Sequence, residues 1–364
     1  MATVVMAGGG TGGHVMPLLA VARVLQADGH QSVFIGTRTG FEAKLVPPAG
    51  FPIEFIEIGG LNRVGAWRKI RSLAQLPLSV LRSKSLIEKH APSAVFSLGG
   101  YAAGPVVLAA LWKKAPLVVM EPNAMPGLTN RKIGRYVRRA LLSFSESARY
   151  FPPGKSEITG LPVRAEFFRI PPKPRDTKLT ILITGGSQGS RTLNNAASGS
   201  WKYFRENQSP VRFIHQTGTA THGVLSQKFS ETGLEGEVLP FIDDMPAAFA
   251  RADLVICRAG AGAVAELAAA GKPSILVPLP TAADQHQLRN AEAYQKAGAA
   301  MLTLDQEMDG GRLFEEVEKL RTHPELLQRM GERARAFSHP DAARRAATVL
   351  EEAMGRVSAG LEKQ

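Results

Sequence analysis

The chain has 364 residues, of which 44% are apolar and 21% charged, and this length is typical of about two globular domains. Its single cysteine, Cys257, excludes an internal disulfide and a cysteine-based zinc site. The first residues lack the pattern of a signal peptide, and the longest apolar stretch, YAAGPVVLAALW, is too short and too interrupted to cross a bilayer, so we expect a cytoplasmic protein.

Positive charge is concentrated in the first half of the chain. Residues 1–165 carry 20 lysines and arginines against 8 acidic residues, whereas residues 166–364 carry 24 of each. This asymmetry indicates a nucleic acid or an anionic membrane surface as partner, or only a soluble basic face. The basic stretches lack the aromatic residues of RNA-binding modules, and no helix-turn-helix or zinc module is recognisable, so we expect no nucleic acid.

Nine apolar runs predict strands, and most end in a Gly-rich turn that leads into a helix-like segment. Because the runs are continuous rather than alternating, the strands should be buried on both faces of parallel sheets in an α/β protein. In chain order the runs span residues 3–10, 31–37, 94–100, 116–123, 179–186, 211–218, 236–242, 252–260 and 273–279.

Three prolines in FFRIPPKPRDTK, residues 167–178, predict a linker. The stretch that follows, LTILITGGSQGSR, repeats the strand, glycine loop and helix order of TVVMAGGGTGGHV. We therefore expect two doubly wound domains, at 1–165 and 166–339. A final helix is predicted over about 340–357, and fold analogy suggests that it returns to the first domain.

Four glycine-rich loops follow predicted strands, and such loops let backbone N–H groups converge on an anion such as a diphosphate. An NAD site is disfavoured because QSVFIGTRTG, residues 31–40, offers no acidic residue for the ribose, and an NTPase loop because no Gly-Lys-Ser/Thr follows. The loops are GGGTGGH (8–14), SLGGYAAGP (97–105), GGSQGSR (185–191) and CRAGAGAVAEL (257–267).

Two acidic features have competing interpretations. Glu266 could accept hydrogen bonds from a ribose diol, or could only complement the dipole of a helix. The adjacent Asp243 and Asp244 precede a helix-like segment, where capping is the expected role. Since no Asp-x-Asp motif occurs in the sequence, we expect neither a metal site nor a cofactor.

Eight motifs resemble, in order and spacing, the bacterial transferases that add N-acetylglucosamine to the lipid-linked peptidoglycan precursor. They are GGGTGGH, SLGGYAAGP, EPNAMPGLTNR, GLPVR, GGSQGSR, PFIDDM, AGAVAEL and ADQHQLRNA. The resemblance implies a GT-B fold, in which two Rossmann-like domains face a cleft. It also implies inverting transfer of N-acetylglucosamine from UDP-N-acetylglucosamine to the 4-hydroxyl of undecaprenyl-diphosphate-MurNAc-pentapeptide (lipid I), giving lipid II. The alternatives are another GT-B UDP-sugar transferase or a UDP-N-acetylglucosamine 2-epimerase, which needs no lipid acceptor.

The same resemblance implies which residues bind substrate. On the first-domain side they are Thr11, Gly12, Gly13, Asn123 and Arg164. From the second domain they are Ser187, Ile242, Ala261, Gly262, Ala263, Val264, Ala265, Glu266 and Gln287, with Asn290 on the same helical face as Gln287. The chain departs from many relatives in having no hydroxylated residue just ahead of Glu266.

His14 is the leading candidate for the base, because imidazole titrates near neutral pH and this one follows a glycine loop. It could instead be an electrostatic contact to the diphosphate or a structural residue. Glu121 is a second carboxyl candidate on the acceptor side, with an orienting role.

Two stretches combine apolar and basic residues. Residues 66–89 contain Trp67, Ile70, Leu73, Leu76, Leu78 and Leu81 among six basic residues, and residues 130–140 add a second basic cluster. This pattern favours binding to anionic lipid headgroups at a membrane surface. The resemblance implies that the surface is the cytoplasmic face of the bacterial inner membrane, that the association is peripheral, and that other cell-wall synthesis proteins are possible partners. An ordinary amphipathic core helix is the alternative.

Overall fold

The computed structural model describes residues 1–9, 12–59, 66–173 and 176–355, with the side chains of Gly12 and of residues 66–74 outside the description. The chain folds into two compact units: unit 1 comprises Met1–Val163 and the segment from His339 onward, and unit 2 comprises Arg164–Ser338. Over the described ranges, no helix has the length and apolar character needed to span a membrane.

Unit 1 is built on a seven-stranded sheet in which every pairing is parallel, in the order β3-β2-β1-β4-β5-β6-β7. Its central strands are apolar on both faces, so helices cover both sides of the sheet. The strands are β1 (Thr3–Gly8), β2 (Gln31–Gly36), β3 (Ile53–Phe55), β4 (Ala94–Gly99), β5 (Leu117–Glu121), β6 (Arg139–Leu142) and β7 (Ser156–Ile158). The helices are α1 (Gly12–Ala27), α2 (Glu42–Leu45), α3 (Ala66–His90), α4 (Ala103–Trp112) and α5 (Leu128–Ile133), with 3-10 turns at Pro47–Ala49 and Ser145–Tyr150.

Unit 2 repeats this plan with six parallel strands in the order β10-β9-β8-β11-β12-β13. The strands are β8 (Leu179–Thr184), β9 (Val211–Gln216), β10 (Glu235–Leu239), β11 (Leu254–Cys257), β12 (Ser274–Leu276) and β13 (Ala300–Leu302). The helices are α6 (Ala165–Phe168), α7 (Arg191–Glu206), α8 (His222–Ser230), α9 (Met245–Arg251), α10 (Ala261–Ala270), α11 (His286–Lys296), α12 (Gly310–Arg321) and α13 (Pro324–Arg335), with a 3-10 turn at Ala283–Gln285. Two Rossmann-like parallel sheets confirm the predicted α/β class.

The last described helix, α14 (Ala342–Ala353), packs against α1 in unit 1. Its inner face is apolar, with Ala346 and Leu350 fully buried. Arg345 holds Glu157 with two charge-assisted hydrogen bonds of 2.5 and 2.8 Å, and this bidentate geometry gives the contact a defined orientation.

The predicted linker at 167–178 is wrong in its first half. Phe167 lies in α6, is fully buried, and packs edge-to-face on Phe249 at 5.1 Å between ring centroids. Lys173 forms a 2.5 Å ion pair with Asp253, which also lies in unit 2. Burial of an aromatic ring outweighs the irregular backbone that prolines impose, so this stretch folds as part of unit 2. Arg164, expected on the first-domain side, also belongs to unit 2.

Each sheet has one point where the strand order reverses. In unit 1 it lies between β1 and β4, and in unit 2 between β8 and β11. Loops at the carboxyl ends of these strands border a crevice, which is where open α/β sheets bind ligands. All four predicted glycine loops follow these four strands.

Candidate active site

A cavity of about 680 Å³ lies within unit 2, at the carboxyl ends of β8 and β11. The loop between β8 and α7 contributes Gly185, Gly186 and Gly189 to its wall. Helix α10 contributes Ala263 and Glu266. The cavity thus brings together two of the four glycine-rich segments.

The amino end of α10 presents unbonded backbone N–H groups. Its N-cap, Gly260, has extended backbone and no side-chain capping bond, and the N–H of Val264 donates back to the Gly260 carbonyl at 3.0 Å. The amides of the three residues between, Ala261, Gly262 and Ala263, have no acceptor within the helix. Small side chains leave them accessible, so this turn can bind an anion through its backbone and the helix dipole.

Two other residues of the predicted α10 set contribute differently. The Val264 side chain is 3% exposed and lies in the core, and its N–H is bonded to the Gly260 carbonyl. Neither group is available to a ligand, which corrects the predicted substrate contact of Val264. Ala265 is half-buried, and its methyl side chain offers no hydrogen-bonding group. Any anion at this turn is therefore held by main-chain groups of α10.

Glu266 lies in the second turn of α10, and it is half-buried at the cavity wall. Burial raises the pKa of Glu266 to about 7, while the positive charge of Arg164 opposes the rise. Within the described ranges no group donates a hydrogen bond to this carboxylate. Because Glu266 lies outside the first turn, its interaction with the helix dipole is weak. Because no described group donates to them, its carboxylate oxygens are available to the hydroxyls of a ligand.

Arg164 is exposed, and its guanidinium lies over the ring of Phe167 at 5.1 Å from the centroid. This stacking limits the freedom of the side chain, because the flat guanidinium is attracted to the face of the ring. Arg164 therefore supplies a positive charge near Glu266 from within the same unit.

Gln287 and Asn290 differ although they share a helix. Gln287 lines the cavity, and its Oε1 accepts a 2.9 Å hydrogen bond from the Leu279 N–H, which leaves its amide group able to donate to a ligand. Asn290 is fully buried and donates to the Ala259 carbonyl at 3.1 Å. The predicted substrate contact of Asn290 is therefore wrong, because its amide supports the loop that leads into α10.

Ser187 and Ile242 lie on two loops that Gln216 connects. Ser187 is exposed in the β8–α7 loop, beside the glycines that line the cavity. The Ile242 N–H donates to Gln216 Oε1 at 2.8 Å, and Gln216 Nε2 donates to the Gly186 carbonyl at 2.8 Å. The predicted use of the Ile242 backbone is thus restricted to its carbonyl in this conformation.

Sequence reasoning missed Gln216 and Arg258. Arg258 follows β11 and donates to Ser190 Oγ at 2.7 Å and to Asp305 at 2.5 Å. Both residues are polar and stand at the carboxyl ends of strands that flank β8. That position was the available signal, since such residues reach neighbouring loops.

In unit 1, His14 lies in the first turn of α1 beside the β4–α4 loop. Gly100, in that loop, has a φ of +82°, and a Cβ there would lie 2.8 Å from the Gly9 carbonyl and 3.6 Å from His14 Nδ1. Only glycine allows the two loops to pack this closely. Gly12 and Gly13 begin α1, whereas Thr11 lies outside the described residues.

Glu121 is 2% exposed at the end of β5, and its carboxylate accepts four hydrogen bonds. The donors are the Asn123 N–H at 3.0 Å and its Nδ2 at 3.2 Å, the Gly127 N–H at 3.1 Å and Asn130 Nδ2 at 2.9 Å. Burial raises the pKa of Glu121, and these four donors oppose the rise. The oxygens of Glu121 are committed to the β5–α5 loop, which corrects its place as a second candidate for the base. Its contact with the predicted substrate residue Asn123 agrees with the orienting role expected from the sequence.

Asp244 caps α9, as predicted, because its carboxylate accepts the Ala247 N–H at 3.0 Å. The described parts of the chain contain no cluster of three or more His, Cys, Asp or Glu side chains arranged to hold a metal ion.

Replacing Glu121 with Gln should destabilise unit 1. The amide nitrogen of Gln would face N–H donors in place of one carboxylate oxygen, and an unmet buried donor costs about 1 to 3 kcal/mol. Calorimetric unfolding of E121Q is expected to show a lower Tm than the exposed control E146Q. Equal Tm values for the two variants would mean that the network does not stabilise the loop.

Comparison with known proteins assigns both units to one family. The Glycosyltransferase family 28 N-terminal domain matches residues 4–142, and the C-terminal domain of that family matches residues 180–346. A curated relative from Solibacter usitatus (strain Ellin6076) is 59% identical over 351 residues, covering 96% of each chain. It is named UDP-N-acetylglucosamine–N-acetylmuramyl-(pentapeptide) pyrophosphoryl-undecaprenol N-acetylglucosamine transferase.

Solved structures agree with this assignment. The crystal structure of Acinetobacter baumannii MurG is 31% identical, with a TM-score of 0.81 over 97% of this chain and 100% of that chain. A UDP-GlcNAc 2-epimerase from Neisseria meningitidis has a TM-score of 0.66 over 96% of this chain and 99% of its own, but at 13% identity it shows only a shared fold. The fold is thus GT-B, and the chain belongs to glycosyltransferase family 28, among the UDP-N-acetylglucosamine–N-acetylmuramyl-(pentapeptide) pyrophosphoryl-undecaprenol N-acetylglucosamine transferases.

Proposed function

We propose that this chain transfers N-acetylglucosamine from UDP-N-acetylglucosamine to the MurNAc 4-hydroxyl of undecaprenyl-diphosphate-MurNAc-pentapeptide, with inversion at the anomeric carbon. The observation that carries the proposal is the unit 2 cavity, whose wall includes the amino end of α10 at Gly260 and Ala263, the Glu266 carboxylate and Gln287. These groups match, in turn, a diphosphate, a ribose diol and sugar hydroxyls.

Donor recognition follows from the hydrogen-bonding capacity of each group. The amides at the start of α10 donate to the diphosphate, and the exposed Ser187 hydroxyl can add a further donor. Ionised Glu266 accepts from both ribose hydroxyls, and Gln287 donates through its amide. The Ile242 carbonyl can accept the N3–H of uracil, since its own N–H is held by Gln216.

The reaction forms one bond and breaks one at the anomeric carbon. The acceptor oxygen attacks from the face opposite UDP, its proton passes to a base, and the glycosidic bond electrons leave with the diphosphate. His14 is the proposed base in unit 1. The departing negative charge is stabilised by the amides of α10 and by Arg164, because fixed dipoles and charges need little reorganisation.

Transfer should require both substrates, and His14 should act on the rate. With UDP-N-acetylglucosamine and a lipid I analogue, we expect UDP release only when the acceptor is present.

Removing a general base costs about 100-fold or more in kcat, so H14A should lose activity while the donor KM changes by less than about twofold.

The exposed His323 provides the matched control, H323A. Equal losses in kcat and donor affinity would make His14 a diphosphate contact. Release of UDP without acceptor, or conversion of the donor to its 2-epimer, would contradict the transferase proposal.

Glu266 should make donor binding depend on pH. Its raised pKa means that the free protein holds a proton there below about pH 7, whereas the ribose diol favours the ionised carboxylate. Binding must then release that proton, so the Kd for UDP-N-acetylglucosamine should rise by up to about tenfold per pH unit below pH 7 and level off above it.

Calorimetric titrations between about pH 5 and pH 8 test this linkage. E266Q is the matched control, since Gln has a similar shape and does not titrate; it should bind weakly and with little pH dependence. A wild-type affinity that does not change across this range would exclude the ribose role.

We further propose that unit 1 binds an anionic membrane surface through one face of α3 and α4. On α3, Ser79, Ser83 and Leu86 are buried, which turns Leu78 (70% exposed) and Leu81 (52% exposed) outward. Trp112 at the end of α4 is 58% exposed, with the Lys84 Nζ 4.9 Å from its ring centroid. Exposed apolar side chains beside cations are suited to a lipid headgroup layer. Of the predicted patch, Leu76 is half-buried, and the side chains of Trp67, Ile70 and Leu73 lie outside the description.

Charging this face should release the protein from membranes. Each leucine contributes about 1.5 to 3 kcal/mol when buried, so L78E/L81E should sediment with phosphatidylglycerol vesicles at least about tenfold less than wild type. V224E is the control, because Val224 is 63% exposed in unit 2. Equal sedimentation of all three proteins, or no dependence on anionic lipid, would contradict this membrane face.

A further inference from the structure

Glu42 is a buried carboxylate that neither the predicted site nor the proposed mechanism uses. It begins α2, is 1% exposed, and its Oε1 accepts hydrogen bonds of 2.8 Å from both the N–H and the hydroxyl of Thr37. Burying a carboxylate is costly unless hydrogen-bond donors replace the lost water. The cost indicates a specific role in this part of unit 1.

The main chain of the first glycine segment lies directly against this carboxylate. A Cβ added at Gly9 would lie 2.6 Å from Glu42 Oε2 and closer still to Oε1. Gly36 and Gly40 leave the same kind of space around the side chain. Gly9 is therefore required by an internal carboxylate, not only by a ligand that approaches the loop.

Contacts from Glu42 lead to His14 through two neighbouring loops. The Thr37 hydroxyl lies 3.4 Å from the Tyr101 hydroxyl in the β4–α4 loop. In the same loop, Gly100 packs against the Gly9 carbonyl and His14. Gly9 thus lies between the Glu42 carboxylate on one side and the backbone of Gly100, next to His14, on the other.

We propose that Glu42 is a positioning residue, which fixes the backbone at Gly9 and thereby the place of the His14 imidazole. The expected effect on kcat rests on the proposed function, in which His14 is the base. Glu42 does not contact substrate; it acts through the loop, and unit 2 should bind the donor normally without it.

The test compares E42Q with wild type and with the exposed control E146Q, all assayed well below their Tm. Gln keeps the size of the side chain and one acceptor oxygen, but places an amide N–H₂ against the backbone of Gly9 or Gly40. A misplaced base costs about 10- to 100-fold in rate. We expect kcat of E42Q to fall by that factor, with the Kd for UDP-N-acetylglucosamine within about twofold of wild type.

Hydrogen exchange separates positioning from general instability. E42Q should accelerate exchange at the amides of residues 7–9 and 12–16 and leave β5 and β6 unchanged. A kcat within twofold of wild type would overturn the proposal. So would equal losses of kcat and donor affinity with faster exchange throughout unit 1.

A second pair of variants keeps the inference testable if the proposed function fails. G9A should lower the Tm, because its methyl group overlaps the carboxylate, and E42A removes that overlap. The double variant G9A/E42A should lose less Tm than the sum of the single variants. If wild type shows no transfer, the proposed function fails, but the Tm values of G9A, E42A and the double variant, together with hydrogen exchange, still test whether Glu42 holds Gly9. Additive Tm losses in the double variant would overturn the positioning role of Glu42.

Discussion

The reversal of strand order in each parallel sheet determines where this protein can place polar groups. The central strands of both sheets are apolar on their two faces and covered by helices, so ligands reach these strands only at their ends. At the reversal point neighbouring helices lie on opposite sides, and the loops between them border a crevice. Unit 2 leaves this crevice open as a cavity of about 680 Å³. In unit 1 the Glu42 carboxylate packs against the loop that follows β1, and Glu121 holds the neighbouring β5–α5 loop.

Glu121, Glu42 and Glu266 have different roles because different groups surround their carboxylates. Glu121 accepts four hydrogen bonds from its own loop, and Glu42 accepts two from Thr37 while packing against glycine backbone. Both carboxylates are used within the fold. Glu266 has no hydrogen-bond donor among the described residues, and burial raises its pKa to about 7. A carboxylate in that state can still gain hydrogen bonds, so it is the one suited to a ligand.

Much of the fold could be predicted because it depends on local pattern. All nine apolar runs overlap a strand, as a continuous apolar pattern predicts. The expected burial on both faces fails at β10, an edge strand whose first residues are exposed. The strands that were missed are β3, β6, β7 and β13, which have three or four residues each. The linker prediction failed at Phe167 because prolines are a local signal, whereas the ring is held by Phe249, which is distant in the chain.

The sequence by itself determined the α/β class, the glycine loops and the ordered motifs that identify the family, because each is a property of neighbouring residues. Only the tertiary structure separated Gln287 from Asn290, which share a helix but face a cavity and a buried carbonyl respectively. It also showed which groups hold the Glu121 carboxylate and that Gly9 accommodates Glu42. Hydrogen bonds and close packing between loops depend on which strands become neighbours, and spacing along the chain does not encode that directly.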